Sequence, residues 1–250
     1  KAHAASVHYM SGFEESACLV MDGSGENLAT TTWHGQGDEL NPMNEWKLPN
    51  SLGWFYSALT EWLGFKAYSG EGKVMGLAAY GKADNEIAEK LKKICWLNSD
   101  GDYEVDPTYI YFGERNYSKK FTDKLVDLLG PPRRPESELN DFYINAAYET
   151  QKVLENISIS ITKKLLKQTG TKNLCVSGGV AMNCKMNGLL SNLDGVENIF
   201  INPASHDSGT ALGAALLAYK ELGQSPRKTK LEHAYWGPDF TDEEIEEKLK

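Results

Sequence analysis

Hydrophobic positions along the chain follow two periods. Residues 16–23, SACLVMDG, form an apolar run ending at Asp22-Gly23, and 26–33, ENLATTTW, resume with β-branched side chains. The pattern predicts two strands joined by a tight loop, DGSGE. Residues 35–49 are polar and show no period. From Ser51 the spacing of Leu52, Phe55, Tyr56, Leu59, Trp62 and Leu63 is helical, with Gly64 as the stop. The glycine-rich stretch SGEGKVMGLAAYG at 69–81 predicts a turn, a closely packed helix and a second stop. An amphipathic helix is expected over 85–97, then two strands, around Tyr103 and over 109–112, and a further short helix. The three prolines of GPPRRPESE at 130–138 mark an exposed linker or the edge of an insertion.

The second half is more regular. Phe142, Ile144, Ala147, Val153, Leu154, Ile157, Ile161 and Leu165 mark a long helix over 139–168 that ends at Gly170. NLCVSGG at 173–179 reads as a strand followed by a glycine loop, and residues 180–192 as the helix it launches. ENIFINP at 197–203 is another strand, followed by a helix rich in small residues with Asp207 near its start. This alternation is that of the α/β class, in which helices cover both faces of a mostly parallel sheet. The closing WGPDFTDEEIEEKLK opens one more helix, and the chain is expected to continue beyond Lys250.

Composition narrows the function classes. The 250 residues can bury one large or two small cores without a disulfide framework or a structural metal. A formal net charge of -9 argues against nucleic acid as the main partner. Cys18, Cys95, Cys175 and Cys184 form no close CxxC pair, and Cys18 and Cys175 sit in strand-like apolar runs, so reduced thiols and a cytoplasmic location are expected. No apolar run reaches the length of a membrane span, and no membrane partner is expected. Trp33, Trp46, Trp54 and Trp62 suit core packing, with a homodimer interface as their other use.

Two strand-to-loop segments carry the chemistry. In VMDGSGE, Gly23 and Gly25 permit a sharp turn whose N–H groups can face an anion, and Asp22 can orient a water or a bound Mg²⁺. In VSGGVAMN, Gly178 and Gly179 let a strand end close to a ligand at the start of a helix. Both motifs are also plain turn signals, and neither is a Walker A or dinucleotide fingerprint. His3 and Asp207 are candidate metal ligands, with His8 and His206 as neighbouring competitors, and imidazole plus carboxylate suits iron, manganese or zinc. Asp207 has an equally good structural reading as a helix N-cap. Lys73 can neutralise a phosphoryl or carbamoyl oxygen, and Glu71 can position it or act on a hydroxyl. A surface salt bridge accounts for that pair as well.

Seven segments in order, HAAS at 3–6, MDGSGE at 21–26, SLGWFYSALTEWLGF at 51–65, GEGKVMGLAAYG at 70–81, AAYETQKVLE at 146–155, CVSGGVAMNCKMNG at 175–188 and NPASHDSGTALGAAL at 202–216, together resemble the carbamoyltransferase family that includes nodulation-factor and aminoglycoside O-carbamoyltransferases. The resemblance implies an actin/hexokinase/Hsp70-like (ribonuclease H-like) nucleotide-binding fold, similar to the Kae1-like tRNA threonylcarbamoyladenosine enzymes. Residues 1–250 would then be a partial domain, mainly the second lobe plus the connecting helix. Residues 82–140 would be a family-specific insertion, with the first lobe and a C-terminal YrdC-like domain outside the chain.

The family's metal ligands are an HxxxH pair and an aspartate. His3 matches the second histidine and Asp207 the aspartate, and the first histidine would fall before Lys1. Asp22, Gly23, Ser24 and Gly25 match a phosphate-binding loop, and Gly178, Gly179 and Asn183 the nucleotide-binding segment beside it. The implied reaction uses ATP and a divalent metal, iron or similar with Mg²⁺ beside the nucleotide. A carbamoyl group would move from carbamoyl phosphate, via carbamoyl adenylate, to a hydroxyl of a sugar-containing acceptor, with Glu71 and Lys73 as catalytic candidates. A tRNA threonylcarbamoyladenosine-type enzyme and a hexokinase-like sugar kinase are the alternatives. The isolated chain is expected to bind nucleotide weakly and to lack complete turnover.

Overall fold

A computed structural model describes residues 1–112, 119–226 and 230–250 of the chain. Helix α1 (Ala2–His8) precedes three strands, β1 (Glu15–Gly25), β2 (Leu28–Gln36) and β3 (Glu39–Lys47). Helices α2 (Leu52–Trp62), α3 (Glu71–Leu77) and α4 (Asn85–Leu91) follow, then a hairpin of β4 (Cys95–Leu97) and β5 (Tyr103–Val105), and helices α5 (Asp123–Leu129) and α6 (Asp141–Thr169). The remainder is β6 (Asn173–Ser177), α7 (Cys184–Ser191), β7 (Asn198–Ile201), α8 (Thr210–Glu221) and α9 (Asp242–Leu249).

The main sheet has five strands in the order β3-β2-β1-β6-β7. Strands β1, β2 and β3 pair antiparallel as a meander, whereas β6 joins β1 and β7 joins β6 in parallel. Alternation along β1 assigns its side chains to two cores. Ala17, Leu19 and Met21 face a large cluster with Phe55, Leu59 and Trp62 of α2 and Leu154, Ile157 and Ile161 of α6. Cys18 and Val20 face the other way, toward Ala4, Ala5 and Val7 of α1. A sheet buried on both faces explains why 16–21 reads as a continuous apolar run instead of an alternating one.

The long helix is held at both ends. Asn140 caps α6 by accepting a hydrogen bond from the Tyr143 amide at 3.2 Å, and Gly170 ends it at φ 72°, donating its amide to Leu166 O. Trp33, Trp46 and Trp62 are buried in the two cores, so these three indoles serve packing and not a dimer interface.

Several expected elements differ. Residues 39–47 are not irregular but form the edge strand β3, whose Leu40 and Trp46 turn inward. The expected loop DGSGE is not the hairpin turn: β1 runs on to Gly25, and the register shifts between Met21 and Gly25, leaving Asp22, Gly23 and Ser24 in an irregularity within the strand. The helix expected over 85–97 stops at Leu91, because Cys95, Tyr103 and Val105 alternate inward as a hairpin across the NSDGD turn. Over 109–112 only Ile110 forms a bridge, to Phe121. The helix expected over 180–192 breaks at Asn183, which caps α7, with a 3-10 turn over Gly179–Met182 before it. No helix among the described residues is long and apolar enough to cross a membrane.

Candidate active site

The parallel strands β1, β6 and β7 all deliver their C-terminal ends to one edge of the sheet. That edge is where open α/β sheets bind ligands, because the chain must leave each strand there and backbone polar groups become available. Asp22 follows the last β1 residue paired with β6, Ser177 ends β6, and Asp207 lies in the turn between β7 and α8. Helix α1 brings His3 to the same place.

The three side chains meet. His3 Nε2 lies 3.1 Å from Asp22 Oδ2 and 3.6 Å from Asp207 Oδ1. One donor atom from each of His3, Asp22 and Asp207 falls within 4.8 Å of the others, a set that can hold a metal ion. His3 and Asp22 are largely sheltered, at 13% and 20% side-chain exposure, whereas Asp207 at 88% opens the cluster to solvent.

Hydrogen bonding orients the ring. Ser177 Oγ lies 3.3 Å from His3 Nδ1 and 3.2 Å from Ser205 O, and its one proton can serve only one of them, so the His3 tautomer decides the direction of the bond. With the proton on Nδ1, the Nε2 lone pair would face two carboxylates, a repulsive arrangement that a second proton or a cation relieves. Asp22 is fixed too. Its Oδ1 accepts from the Gly23 amide at 2.8 Å and the Gly179 amide at 3.2 Å. Burial pushes the Asp22 carboxyl up, but His3 and these two amides outweigh burial and hold it below its ordinary value.

This geometry separates the expected residues by task. His3 and Asp207 meet as the motif comparison implied, and Asp22, expected beside the nucleotide, joins them. His8 is fully buried, with ring nitrogens 2.7 Å from Ser16 Oγ and 2.9 Å from Gly37 O, and takes no part in the cluster. His206 is exposed and caps the turn after β7 by accepting from the Ser208 amide at 3.4 Å, so the capping role expected of Asp207 belongs to its neighbour. The glycine amides are not free. Gly23 and Gly179 donate to Asp22, and Gly178 donates to Ser205 O at 2.9 Å. Gly178, at φ 91°, is irreplaceable on steric grounds, since a Cβ there would fall 2.1 Å from Met21 O.

A cavity of about 660 Å³ opens beside the cluster. Asp22, Gly23, Ser24, Glu71, Gly179, Asn183 and Asp207 line it, whereas Gly25, Gly178 and Lys73 do not. Gly25 pairs with Leu28 at the hairpin end. Lys73 is exposed with its ammonium 5.9 Å from the Phe65 ring, so the expected pairing of Lys73 with Glu71 at a reacting group does not form. Glu71 is held in place, its Oε1 accepting from Ser57 Oγ at 2.6 Å and the Tyr68 amide at 2.8 Å. Asn183 faces inward. Its amide and that of Gln151 bond reciprocally at 2.8 and 3.0 Å, and Tyr56 adds a 2.8 Å bond to Gln151. Burial pushes the Tyr56 phenol far up, so it remains a donor. Among the described residues no lysine or arginine lines the cavity.

Sequence reasoning passed over the residues that set this geometry. Ser51 caps α2 by accepting from the Trp54 amide at 3.1 Å and donates to Gly23 O at 2.6 Å, so one hydroxyl ties α2 to the Asp22 irregularity. Gly53 makes the approach possible, for a Cβ there would lie 2.6 Å from Gly23 N. Ser51 was readable as a cap from its place before a helical run. Gly53 and Ser177 carried no such signal.

Fold and cluster together define a mixed α/β protein with a His/Asp set that could hold a metal ion at the mouth of a partly parallel sheet. Residues 1–216 match the model of the carbamoyltransferase N-terminus family, and the chain belongs to that family. It is 41% identical to the uncharacterized protein sll1178 of Synechocystis sp., over all of this chain and 41% of that protein. It is 33% identical to nodulation protein NolNO of Sinorhizobium fredii, over 99% of this chain and 35% of that protein. It is 29% identical to a 3'-hydroxymethylcephem-O-carbamoyltransferase of Amycolatopsis lactamdurans, over 62% of this chain and 26% of that enzyme. The chain therefore spans less than half the length of the relatives it matches.

Proposed function

We propose that the complete protein is an ATP-dependent O-carbamoyltransferase, moving a carbamoyl group from carbamoyl phosphate, via carbamoyl adenylate, to a hydroxyl of a sugar-containing acceptor. The observation that carries this reading is the His3–Asp22–Asp207 cluster at the mouth of a cavity, in a chain of the carbamoyltransferase family. Strand order and direction support a ribonuclease H-like lobe, with α8 as the connecting helix and with the first lobe and a YrdC-like domain supplied elsewhere in the protein. Residues 82–140 fit an insertion, because β4 and β5 form their own two-stranded sheet apart from the main one. A cytoplasmic location suits the buried, unpaired Cys18, Cys95 and Cys175.

His3, Asp22 and Asp207 would hold a divalent ion, iron or similar. Bound there, it would supply positive charge for the phosphate of the carbamoyl donor and for the oxygen that develops charge as the acyl bond breaks. That charge would be needed, since the described residues along the cavity walls include three carboxylates and no lysine or arginine. Ser177 holds the His3 ring through Nδ1, and the Gly23 and Gly179 amides hold Asp22 Oδ1 so that Oδ2 stays turned to His3. Ser24 and Gly179 would contact the nucleotide from the loop side. Glu71, oriented by Ser57 and the Tyr68 amide, would accept the acceptor's hydroxyl proton.

The test is an assay of the intact protein with ATP, carbamoyl phosphate and a panel of sugar alcohols and cephem alcohols. The expected products are a carbamoylated acceptor seen by mass, together with AMP, pyrophosphate and the inorganic phosphate released from carbamoyl phosphate. Formation of ADP with a phosphorylated sugar, independent of carbamoyl phosphate, would replace the reading with a sugar kinase.

A further inference from the structure

One wall of the cavity has features that neither the cation cluster nor the fold requires. Trp54, Ser57, Tyr68, Ser69 and Glu71 line it, with Trp54 and Tyr68 edge to face at 5.7 Å between centroids. The Trp54 indole N–H is buried and has no hydrogen-bond partner. Native proteins rarely leave a buried donor in that state, and such a group needs an explanation. Tyr68, in direct contact with it, sits at φ 66°, a left-handed conformation that a bulky side chain disfavours. It is kept there by its amide's bond to Glu71 and by the Lys120 ammonium 4.4 Å from its ring. An orphaned donor and a strained backbone thus coincide on two touching aromatic residues at a cavity wall, and such strain concentrates where ligands are clamped.

Trp54 packs only partly against the main core, and that packing leaves its indole N–H without a partner. Gly23 provides the flat surface on which the ring lies, the Trp54 Cε2 atom being 3.6 Å from where a Cβ of residue 23 would stand. We propose that Trp54 and Tyr68 form the acceptor wall: they take an uncharged, hydroxyl-bearing ring between them, and the indole turns so that its N–H donates to a ring or hydroxyl oxygen. This rests on the carbamoyl-acceptor reading above. The neighbours favour a sugar over an apolar ring, since Ser57, Ser69 and Glu71 present hydroxyl and carboxylate oxygens beside the aromatic faces. They disfavour a phosphate-bearing ligand on this wall, because the Glu71 side chain stands there and no lysine or arginine lines the cavity among the described residues.

The indole resonance of Trp54 in the ¹⁵N-labelled protein, assigned by its loss in Trp54→Phe, reads the proposal directly. In the free protein it is expected at high field, as for an unbonded N–H, and it should move downfield on titration with disaccharides (lactose, cellobiose and chitobiose) but not with ATP. Trp54→Phe keeps the aromatic face and removes the donor, so disaccharide binding should weaken about tenfold, the worth of one hydrogen bond. Tyr68→Gly relaxes the left-handed backbone, so the fold is retained while sugar binding falls. A resonance unmoved at saturating disaccharide, one moved by ATP instead, or Trp54→Phe binding sugar as well as the parent would overturn the proposal. Mn²⁺ separates the two readings: loss of its binding to the cluster with the sugar response intact removes the carbamoyl-transfer reading alone. Mn²⁺ binding with a silent Trp54 removes the acceptor wall alone.

Discussion

Ser177 is a small residue with a large share in the site, because its hydroxyl lies within hydrogen-bond reach of both His3 Nδ1 and Ser205 O and so ties the ring to the loop after β7. Replacing it with alanine leaves the three candidate ligands in place and frees the ring to rotate or change tautomer. Ser177→Ala is therefore expected to weaken Mn²⁺ binding by about tenfold or more, measured by calorimetric titration. Asp22→Asn, which removes a ligand charge, should weaken it further. Gly178 is constrained differently, by φ 91° and by Met21 O at 2.1 Å from any Cβ. Gly178→Ala is expected to cost more than about 2 kcal/mol in denaturant unfolding, through backbone strain and displacement of the β1–β6 junction. At this scale the sequence announced His3, Asp207 and the glycine loops through motif likeness, and named Asp22 for a neighbouring task. It concealed the use of the glycine amides. Local sequence shows that a turn can leave N–H groups free, but which carboxylate or carbonyl takes them depends on strands more than a hundred residues apart, as for Gly179 and Asp22.

At the level of elements, the structure links the site to α2 by a single side chain. The Ser51 hydroxyl both caps α2 and binds Gly23 O, so Ser51→Ala should cost about 1–2 kcal/mol and also reduce cation affinity. Asn140→Ala removes an equivalent cap from α6, remote from the cluster, and should cost about 1 kcal/mol with cation affinity unchanged. Comparing the two by thermal unfolding and metal titration separates capping from site assembly. Equal metal affinity in both variants would show that α2 does not hold the irregularity at Asp22. The elements most legible in advance were those with strong caps and a long period, α2 and α6. Helix α1 was missed because AHAASVH is short and has no side-chain cap; it is stabilised by packing on α8, where Gly213 admits the backbone of Ala2 so closely that a Cβ would meet Ala2 O at 1.9 Å. Strand β3 was missed because Pro42 and its polar neighbours mask the inward turn of Leu40 and Trp46, as edge strands commonly do.

Across the whole molecule, the cluster joins parts of the chain that the sheet alone leaves separate: helix α1 on one face, the end of β1, and the turn after β7. A ligand that binds only the assembled state stabilises it by mass action. Mn²⁺ at a hundredfold excess over its dissociation constant is expected to add about 2.7 kcal/mol to unfolding stability, and chelation to remove that gain. Thermal melts of His3→Ala with and without Mn²⁺ provide the control, in which the gain should vanish. The broad architecture was legible because strands β1, β6 and β7 carry dense apolar runs and sit between glycine loops. The meander on the other side was only half visible. An antiparallel edge needs no crossover helix to announce it, and its outer strand is largely exposed.

His3 and Asp207 stand about two hundred residues apart in the sequence, and that separation also bears on time. Their encounter is expected late in folding, once β1 and β6 have paired, because that pairing shortens the loop left to close. An ion held there should leave the refolding rate almost untouched and slow the rate of opening, acting as a latch that is set only after the molecule has found its shape.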